Sequence, residues 1–349
     1  MKIKKTKIFL TLSIIYLLIL FICGEAIVRY FFTNSISEIK YLERNHFYTY
    51  PISDEFIYKN EDNKAIKVST DIYGLRNLNI DMSNNIIVLG DSFISAVNTE
   101  NNETFASRIN GYNAGVDGYS TFQSLRLLNM LLKEASPKTV ILGFYLGNDF
   151  RDNYLDKGQK KLNNFEIKSN LGSFSFTNSI KKLLKKSELI KKVYAFIKSL
   201  SKVPSMSSYS TSEIYSYLDK PNEEFKIALK NTEDALGILK EMSEIYDFRV
   251  VIIGIPSKAQ VYKSFKEITH YENDKNAKSL SMLAIKDGFD FNRPDKILSQ
   301  ISKKFNFQYI SLLNHFRSKD SHNIYYYIDT HWTSIGQKMA YDLVTDNLN

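Results

Sequence analysis

Cysteine is almost missing from this 349-residue chain. A single Cys, Cys23, excludes an intramolecular disulfide framework. Histidine is scarce as well: the five His, at 46, 270, 315, 322 and 331, are scattered, no HExxH occurs, and no Cys/His cluster has zinc spacing. A metal site built on paired histidines is therefore not expected. Only one Trp is present, and no internal repeat is apparent. What remains is ordinary for a globular protein, with 44% hydrophobic and 24% charged residues. The 13% aromatic content argues against disorder, because buried rings offset chain entropy. The length fits two domains, or one α/β domain carrying insertions.

Arginine is also sparse beside lysine, which matters for the net charge of +8. A nucleic-acid reading would want Arg, whose planar fork recognises phosphate and base edges. The excess is moreover local: between Lys157 and Lys202 there are twelve Lys against Glu166 and Glu188, so the rest of the chain is slightly acidic. A solvated face accounts for such a run, and no nucleic-acid partner is expected.

The longest apolar run lies at the front. Lys2, Lys4, Lys5 and Lys7 precede an uninterrupted stretch from Ile8 to Gly24, and after Glu25 the pattern resumes with Ala26, Ile27 and Val28. A helix over Ile8–Gly24 would rise about 25 Å, short but workable for a membrane span, and residues 27 and 28 lengthen it. Basic residues before it keep the N-terminus cytoplasmic, and Tyr30, Phe31 and Phe32 suit the far interface. We therefore expect a cytoplasmic tail over 1–7, a transmembrane anchor over 8–28, and a stalk and entry segment over 29–70. The rest then lies outside the membrane, as in a single-pass bacterial membrane protein. A cleaved signal peptide is the main competitor, but the run is long for one and no small-x-small site follows. Lipidation at Cys23 fits poorly behind Phe21 and Ile22.

Beyond residue 70 the periodicity is legible. Continuous apolar runs over 85–90, 139–146 and 249–255 read as strands buried on both faces, and 112–116 and 308–312 as further strands. Helical spacing covers 103–110, 121–135, 223–246, 294–305 and 334–347. This alternation predicts an α/β domain over 71–349 with a parallel sheet covered on both faces. The Lys-rich stretch of about 151–221 interrupts the rhythm as a helical insertion. Its apolar residues from Ile180 to Leu200 fall on one side; they suit either a helix on anionic lipid or acidic glycan, or a cap over the sheet edge.

Four short blocks carry chemistry. Gly90-Asp91-Ser92-Phe93 follows the first buried strand, at a strand carboxyl end, where open parallel sheets place ligands. Alone, it is a strand-to-helix turn with a capping Asp. Asn113-Ala114-Gly115-Val116-Asp117-Gly118-Tyr119-Ser120 follows the second strand, and Gly147-Asn148-Asp149 ends the third. Asp329-Thr330-His331-Trp332 follows the strand-like Tyr325–Ile328. In an extended stretch residues two apart share a face, so Asp329 could orient His331. Asp320-Ser321-His322 repeats the spacing in a polar loop and reads as surface, while Trp332 reads as core.

In this order the four blocks resemble the SGNH (GDSL-like) hydrolase superfamily, over roughly residues 71–349. Asp71–Asn77 and Ile255–Val261 look like recurring segments of its membrane-anchored bacterial members. The D-x-H-W block, where many members have D-x-x-H, resembles proteins related to alginate O-acetyltransferases. The segment Ile94–Val97 lacks the glycine common after GDS. The resemblance implies a three-layer α/β/α flavodoxin-like fold. It further implies Ser92 as nucleophile, His331 as base and Asp329 as orienting acid, with the Ser92 N–H, Gly118 N–H and Asn148 amide as oxyanion donors, and no cofactor or metal. The expected activity is an extracytoplasmic serine esterase that removes a small acyl group, such as acetyl, from a cell-envelope or secreted glycan. The alternatives are an O-acyltransferase of the same fold and a non-catalytic envelope-binding or assembly factor. The rate is expected to rise with pH as His331 deprotonates, around the ordinary imidazole value of about 6.5. Oligomeric state is not legible.

Overall fold

Runs such as Ile86-Ile87-Val88-Leu89 have no polar face to give to water, so they can be strands only where both faces are covered. The computed structural model places them so. It describes residues 41–44, 47–77, 82, 85–156, 209–268, 275–318 and 323–348, with scattered positions between 12 and 26. The chain divides into two units, Ile39–Asn164 with Met206–Asn349, and Met1–Glu38 with Phe165–Ser205. Every element below belongs to the first.

Two antiparallel hairpins lead: β1 (Leu42–Arg44) with β2 (Phe47–Thr49), and β3 (Glu55–Lys59) with β4 (Ala65–Ser69). Then come β5 (Ile86–Gly90), β6 (Tyr112–Gly115), β7 (Thr139–Tyr145), β8 (Arg249–Ile255) and β9 (Gln308–Ser311). All five pair in parallel, in the order β6-β5-β7-β8-β9. The helices are α1 (Ser92–Ser95), α2 (Phe105–Arg108), α3 (Thr121–Leu131), α4 (Asp149–Leu155), α5 (Tyr209–Tyr217), α6 (Glu223–Tyr246), α7 (Lys258–Tyr262), α8 (Lys275–Asp287), α9 (Arg293–Lys304), α10 (Leu313–Ser318) and α11 (Ser334–Leu348).

Side-chain alternation along the strands makes two cores. Ile87, Leu89, Val140, Leu142, Val250 and Ile252 face one way and pack under α3, α6 and α9. Val88, Ile141, Val251, Ile253 and Ile255 face the other way, against Phe93, Ile94, Phe105, Phe316 and Val344 of the second helical layer. The result is a three-layer α/β/α domain with the flavodoxin-like strand order. Its crevice lies where the order reverses, between β5 and β7 at their carboxyl ends.

The helix ends follow from local chemistry. Ser120 and Gln123 form a reciprocal capping box at the start of α3. The 24-residue α6 begins on Asn222, whose side chain accepts the Phe225 N–H, and carries Glu223 and Glu224 in its first turn, where the helix dipole favours negative charge.

Three boundaries differ from the sequence expectation. Residues 29–70 are not a plain stalk, because both hairpins lie within them and pack on the domain. Tyr50, Ile66, Val68 and Val97 form a buried cluster. Strands of three to five residues are too short to display a convincing period. The insertion is narrower than 151–221, since α4 buries Phe150 and Asn153, and α5 buries Ile214 and Tyr217. The apolar stripe of 180–200 and the Asp320–His322 loop lie outside the described residues, as do residues 1–7 and about half of 8–28. Among the described residues no helix is long and apolar enough to cross a membrane.

Residues Asp71–Asn77, just past the entry segment, brace β6 and the turn that follows β5. Asp71 accepts the N–H groups of Tyr73 and Leu75 (2.8 and 3.0 Å), the Asn77 amide (3.0 Å) and the Tyr112 hydroxyl. Asn77 and Asn113 exchange two hydrogen bonds, and the Asn113 amide donates to Ile94 O (3.0 Å). Arg76, 4% exposed, donates to the carbonyls of Ser95, Ala96 and Thr99 and to Asn101 Oδ1. Burial lowers its pKa to about 10, so the guanidinium stays charged at neutral pH. Arg76→Met removes these bonds from buried carbonyls, of which Ala96 O keeps only the Thr99 N–H. It is expected to cost about 2–4 kcal/mol, read as a lower urea midpoint at unchanged slope.

Candidate active site

The Gly90-to-Ser92 turn is dictated by space. Gly90 has φ +155°, and a Cβ there would come within 2.5 Å of Ile94 Cγ1 and 2.9 Å of the Gly143 carbonyl. Gly115 is crowded in the same way: its Cβ would lie 2.5 Å from Ser95 N. The two glycines let α1 lie directly on the ends of β5, β6 and β7. Asp91 caps this short helix by accepting the Phe93 N–H at 3.0 Å, and Ala96 ends it in the left-handed region. Ser92 is thereby held at the carboxyl end of β5.

His331 reaches Ser92 from 239 residues away, with Asp329 beside it, by a route the sequence did not suggest. Tyr325–Ile328 is not a strand. Only a single antiparallel bridge joins Tyr325 to Trp332, and Tyr326 N–H donates to His331 O at 2.9 Å. Thr330 at the apex has φ +64°. A turn, not strand alternation, therefore brings Asp329 beside the imidazole. Trp332 anchors the returning limb. It is 1% exposed and meets Phe93 edge-on at 5.2 Å between centroids, and Phe93 also lies 4.9 Å from the His331 ring.

Ser92 Oγ lies 2.7 Å from His331 Nε2, and His331 Nδ1 lies 2.7 Å from Asp329 Oδ1. An ionised carboxylate can only accept, so the ring proton belongs on Nδ1 and Nε2 is left to accept the serine hydroxyl. Asp329 Oδ2 takes a further bond from the Asn98 amide at 3.2 Å. Asn98 follows Ser92 by six residues in a loop of no distinctive pattern, and nothing in the sequence singled it out.

The charges support this arrangement. For Asp329, burial favours the neutral acid, but the hydrogen bond and charge of His331, with the Asn98 bond, outweigh it and hold the carboxyl below its usual range. For His331, burial disfavours the cation, yet the hydrogen bond and charge of Asp329, then the charges of Asp91 and Asp117, raise the imidazole above its usual 6.5. Beneath the site, burial pushes up both Asp91 and Asp149, and the Asp91 charge adds to the rise at Asp149. Each carboxyl accepts one backbone N–H, from Phe93 and Tyr145 respectively.

Gly118 and Asn148 are at the ends of β6 and β7, the strands flanking β5. Gly118 takes φ +72° and is exposed; Asn148 precedes α4. Among the described residues, the Ser92 N–H, the Gly118 N–H and the Asn148 amide nitrogen donate to no protein group. No hydrogen bond joins Gly118 or Asn148 to the Ser92–His331–Asp329 chain; topology alone brings their loops to the same end of the sheet. The Gly118 loop is strapped by the entry segment and α1: Tyr48 OH donates to Asp117 O (2.6 Å), Tyr119 OH to Tyr48 O, and Ser95 Oγ of α1 to Asp117.

A cleft of about 860 Å³ has the His331 loop as one wall, through Tyr325, Tyr326 and Tyr327, and carboxylates such as Asp62 and Glu103 among its other linings. Ser92 and His331 are not part of that lining. Among the described residues no group of three or more His, Cys, Asp or Glu is placed to hold a metal ion.

No family model and no curated protein matches the chain. Solved structures to which it is similar include a GDSL-like lipase from Bacteroides thetaiotaomicron, at 10% identity and TM-score 0.36, covering 77% of this chain and 91% of that one. They also include the lipase/acylhydrolase from Enterococcus faecalis, at 11% identity and TM-score 0.36, covering 75% and 94%.

Proposed function

We propose that the chain is a serine esterase of the SGNH type, acting through an acyl-serine intermediate. The observation that carries this reading is the unbroken hydrogen-bonded chain Ser92 Oγ–His331 Nε2, His331 Nδ1–Asp329 Oδ1, with both links at 2.7 Å. In the first step His331 takes the Ser92 proton as Oγ attacks the ester carbonyl. The oxyanion faces the Ser92 N–H, the Gly118 N–H and the Asn148 amide, the three donors left without protein acceptors. Collapse breaks the acyl C–O bond, and His331 returns its proton to the departing alkoxide. Water, deprotonated by His331, then cleaves the acyl-serine and releases the acid.

The basic N-terminus with its apolar run over 8–28 supports a catalytic domain held outside the bacterial cell membrane. The cleft beside the His331 loop, lined by tyrosines together with carboxylates such as Asp62 and Glu103, supports a bulky hydroxylated alcohol portion, which we assign to a cell-envelope or secreted glycan carrying a small acyl group, acetyl foremost. Transfer of the acyl group to a sugar hydroxyl is the second reading, favoured by the D-x-H-W block.

A fluorophosphonate probe should label wild-type protein on Ser92 and leave Ser92→Ala unlabelled; no adduct on folded protein would end the esterase reading. With an activated acetyl ester, Ser92→Ala should lose about 10⁴–10⁶ in kcat and Asn148→Ala roughly 10²–10³. Adding acetylated and deacetylated glycan separates the two readings, since transferase action yields acylated glycan in place of free acid.

The base must be neutral to work, and its pKa is raised. Activity should therefore fall on acidification with a midpoint above the ordinary imidazole value of about 6.5. In Asp329→Asn that midpoint should move down, because the carboxylate is the main influence holding the imidazole pKa up. A pH–rate profile of kcat/KM for both proteins checks the sign.

A further inference from the structure

The loop that carries Asp329 and His331 is bolted by buried side chains at its stems, while the side chains at 327 and 328 are exposed. Tyr325 and Trp332 are buried, whereas Tyr327 and Ile328 are 81% and 78% exposed. The apex backbone nevertheless has partners. Glu61, at the turn between β3 and β4, accepts three consecutive N–H groups: Tyr327 on Oε1 at 3.1 Å, and Ile328 and Asp329 on Oε2, both at 2.8 Å. From the opposite end of the same stretch, Lys258 Nζ donates to the Tyr327 carbonyl at 3.0 Å and lies 4.9 Å from the Tyr327 ring centroid. Lys258 is itself held by Glu267 at 3.0 Å. The hairpin turn is docked next door, with the Asn60 amide donating to Tyr326 OH (2.9 Å) and that hydroxyl donating to Asn98 O (3.2 Å).

We propose that Glu61 is a positioning residue for the reaction: its carboxylate gathers the 327–329 N–H groups and so sets where Asp329 stands against His331. This rests on the reading of Ser92, His331 and Asp329 as the reacting group. The chemistry suits a carboxylate and not its amide. Three N–H groups that converge within one turn need an acceptor with two oxygens and no hydrogen of its own. A charge-assisted bond to each is also stronger than a neutral one. Gln would turn an NH₂ toward at least one of these donors. Asp would keep the charge but fall a methylene short. Because Asp329 N–H is one of the three, a displaced apex moves the Asp329 carboxylate directly. Hairpin β3–β4 thus becomes a strut of the catalytic loop, although it lies over 260 residues away in the chain.

The test uses the full-length protein as wild type, Glu61→Gln, Glu61→Asp, Asp329→Asn and the Glu61→Gln/Asp329→Asn double variant. Two quantities are read: the rate of Ser92 labelling by a fluorophosphonate, and the His331 imidazole titration midpoint by NMR. Thermal unfolding of each variant checks that it is folded. Glu61→Gln should slow labelling about tenfold through the misplaced carboxylate. It should also lower the His331 midpoint by about half a unit, since the Asp329 contact holds it up. Glu61→Asp should recover part of both losses. In the Asp329→Asn background the same Gln substitution should change labelling by less than about twofold, because coupled residues are non-additive. A folded Glu61→Gln protein with unchanged midpoint and labelling overturns the proposal, as does full additivity with Asp329→Asn. If Glu61→Gln does not fold, Glu61→Asp decides in the same way, its His331 midpoint unmoved in a folded protein counting against the clamp. If wild-type Ser92 takes no label, the esterase reading fails, and the His331 midpoint alone then judges the Glu61 clamp.

Discussion

The structure turns on one hydrogen bond, that between His331 Nδ1 and Asp329 Oδ1. An imidazole free in water exchanges tautomers and rotates. Placed against an acceptor that has no proton to give, it keeps its hydrogen on Nδ1 and offers the Nε2 lone pair in one direction. That direction ends on Ser92 Oγ. Much of the nearby structure keeps this contact in register: the left-handed Thr330 between the two residues, the Asn98 amide on the second carboxylate oxygen, and Phe93 packed against both the imidazole and Trp332. Phe93 directly follows Ser92, so the residue next to the hydroxyl also packs against the imidazole.

The sheet supplies the other half of the convergence. Parallel strands in the order β6-β5-β7 bring three loops to one end without any long-range recognition between them. What the topology leaves loose, a buried polar lattice tightens, through Asp71, Arg76, Asn77 and Asn113. That lattice joins Asp71–Asn77 to β6 and to the turn that follows β5. The site retains unfavourable features as well: Asp91 Oδ2 and Asp149 Oδ1 are buried without partners. Burying such oxygens costs free energy. Both lie close to the turn that carries Ser92, where local rules give way to the packing of three strand ends. The negative charge of Asp91 is also felt at His331, where it favours the protonated ring.

The central strands were legible because burial on both faces demands an unbroken apolar run, and β5, β7 and β8 are such runs. The long helix α6 was legible from its 3.6-residue period, with Asn222 as its cap. The hairpins were not. β1 and β2 have three residues each, and β3 shows its alternation only over Glu55–Lys59. Their stabilisation comes from Tyr50, Ile66 and Val68 meeting Val97, a contact between distant parts of the chain. Asp329 and His331 were placed together for the wrong local reason, since two residues apart along a strand and two residues apart around a left-handed turn both bring side chains to one side. Asn98 and Glu61 had no signal, and Lys258 was seen only as part of Ile255–Val261, because each acts through a backbone or carboxylate atom more than 60 residues away.

By itself, then, the amino-acid order determined which segments must be buried, that strands end at or near Gly90, Gly115 and Gly147, and which side chains at those ends carry reactive groups. These are properties of local composition and period, and they survive without knowledge of partners. Only tertiary structure decided that Ser92, His331 and Asp329 share one line of hydrogen bonds, that Gly118 and Asn148 flank it as loop ends alone, and that a hairpin near the front of the chain holds the loop near its end. Distances between residues remote in sequence depend on how layers pack, and packing is a property of the whole set of side chains at once.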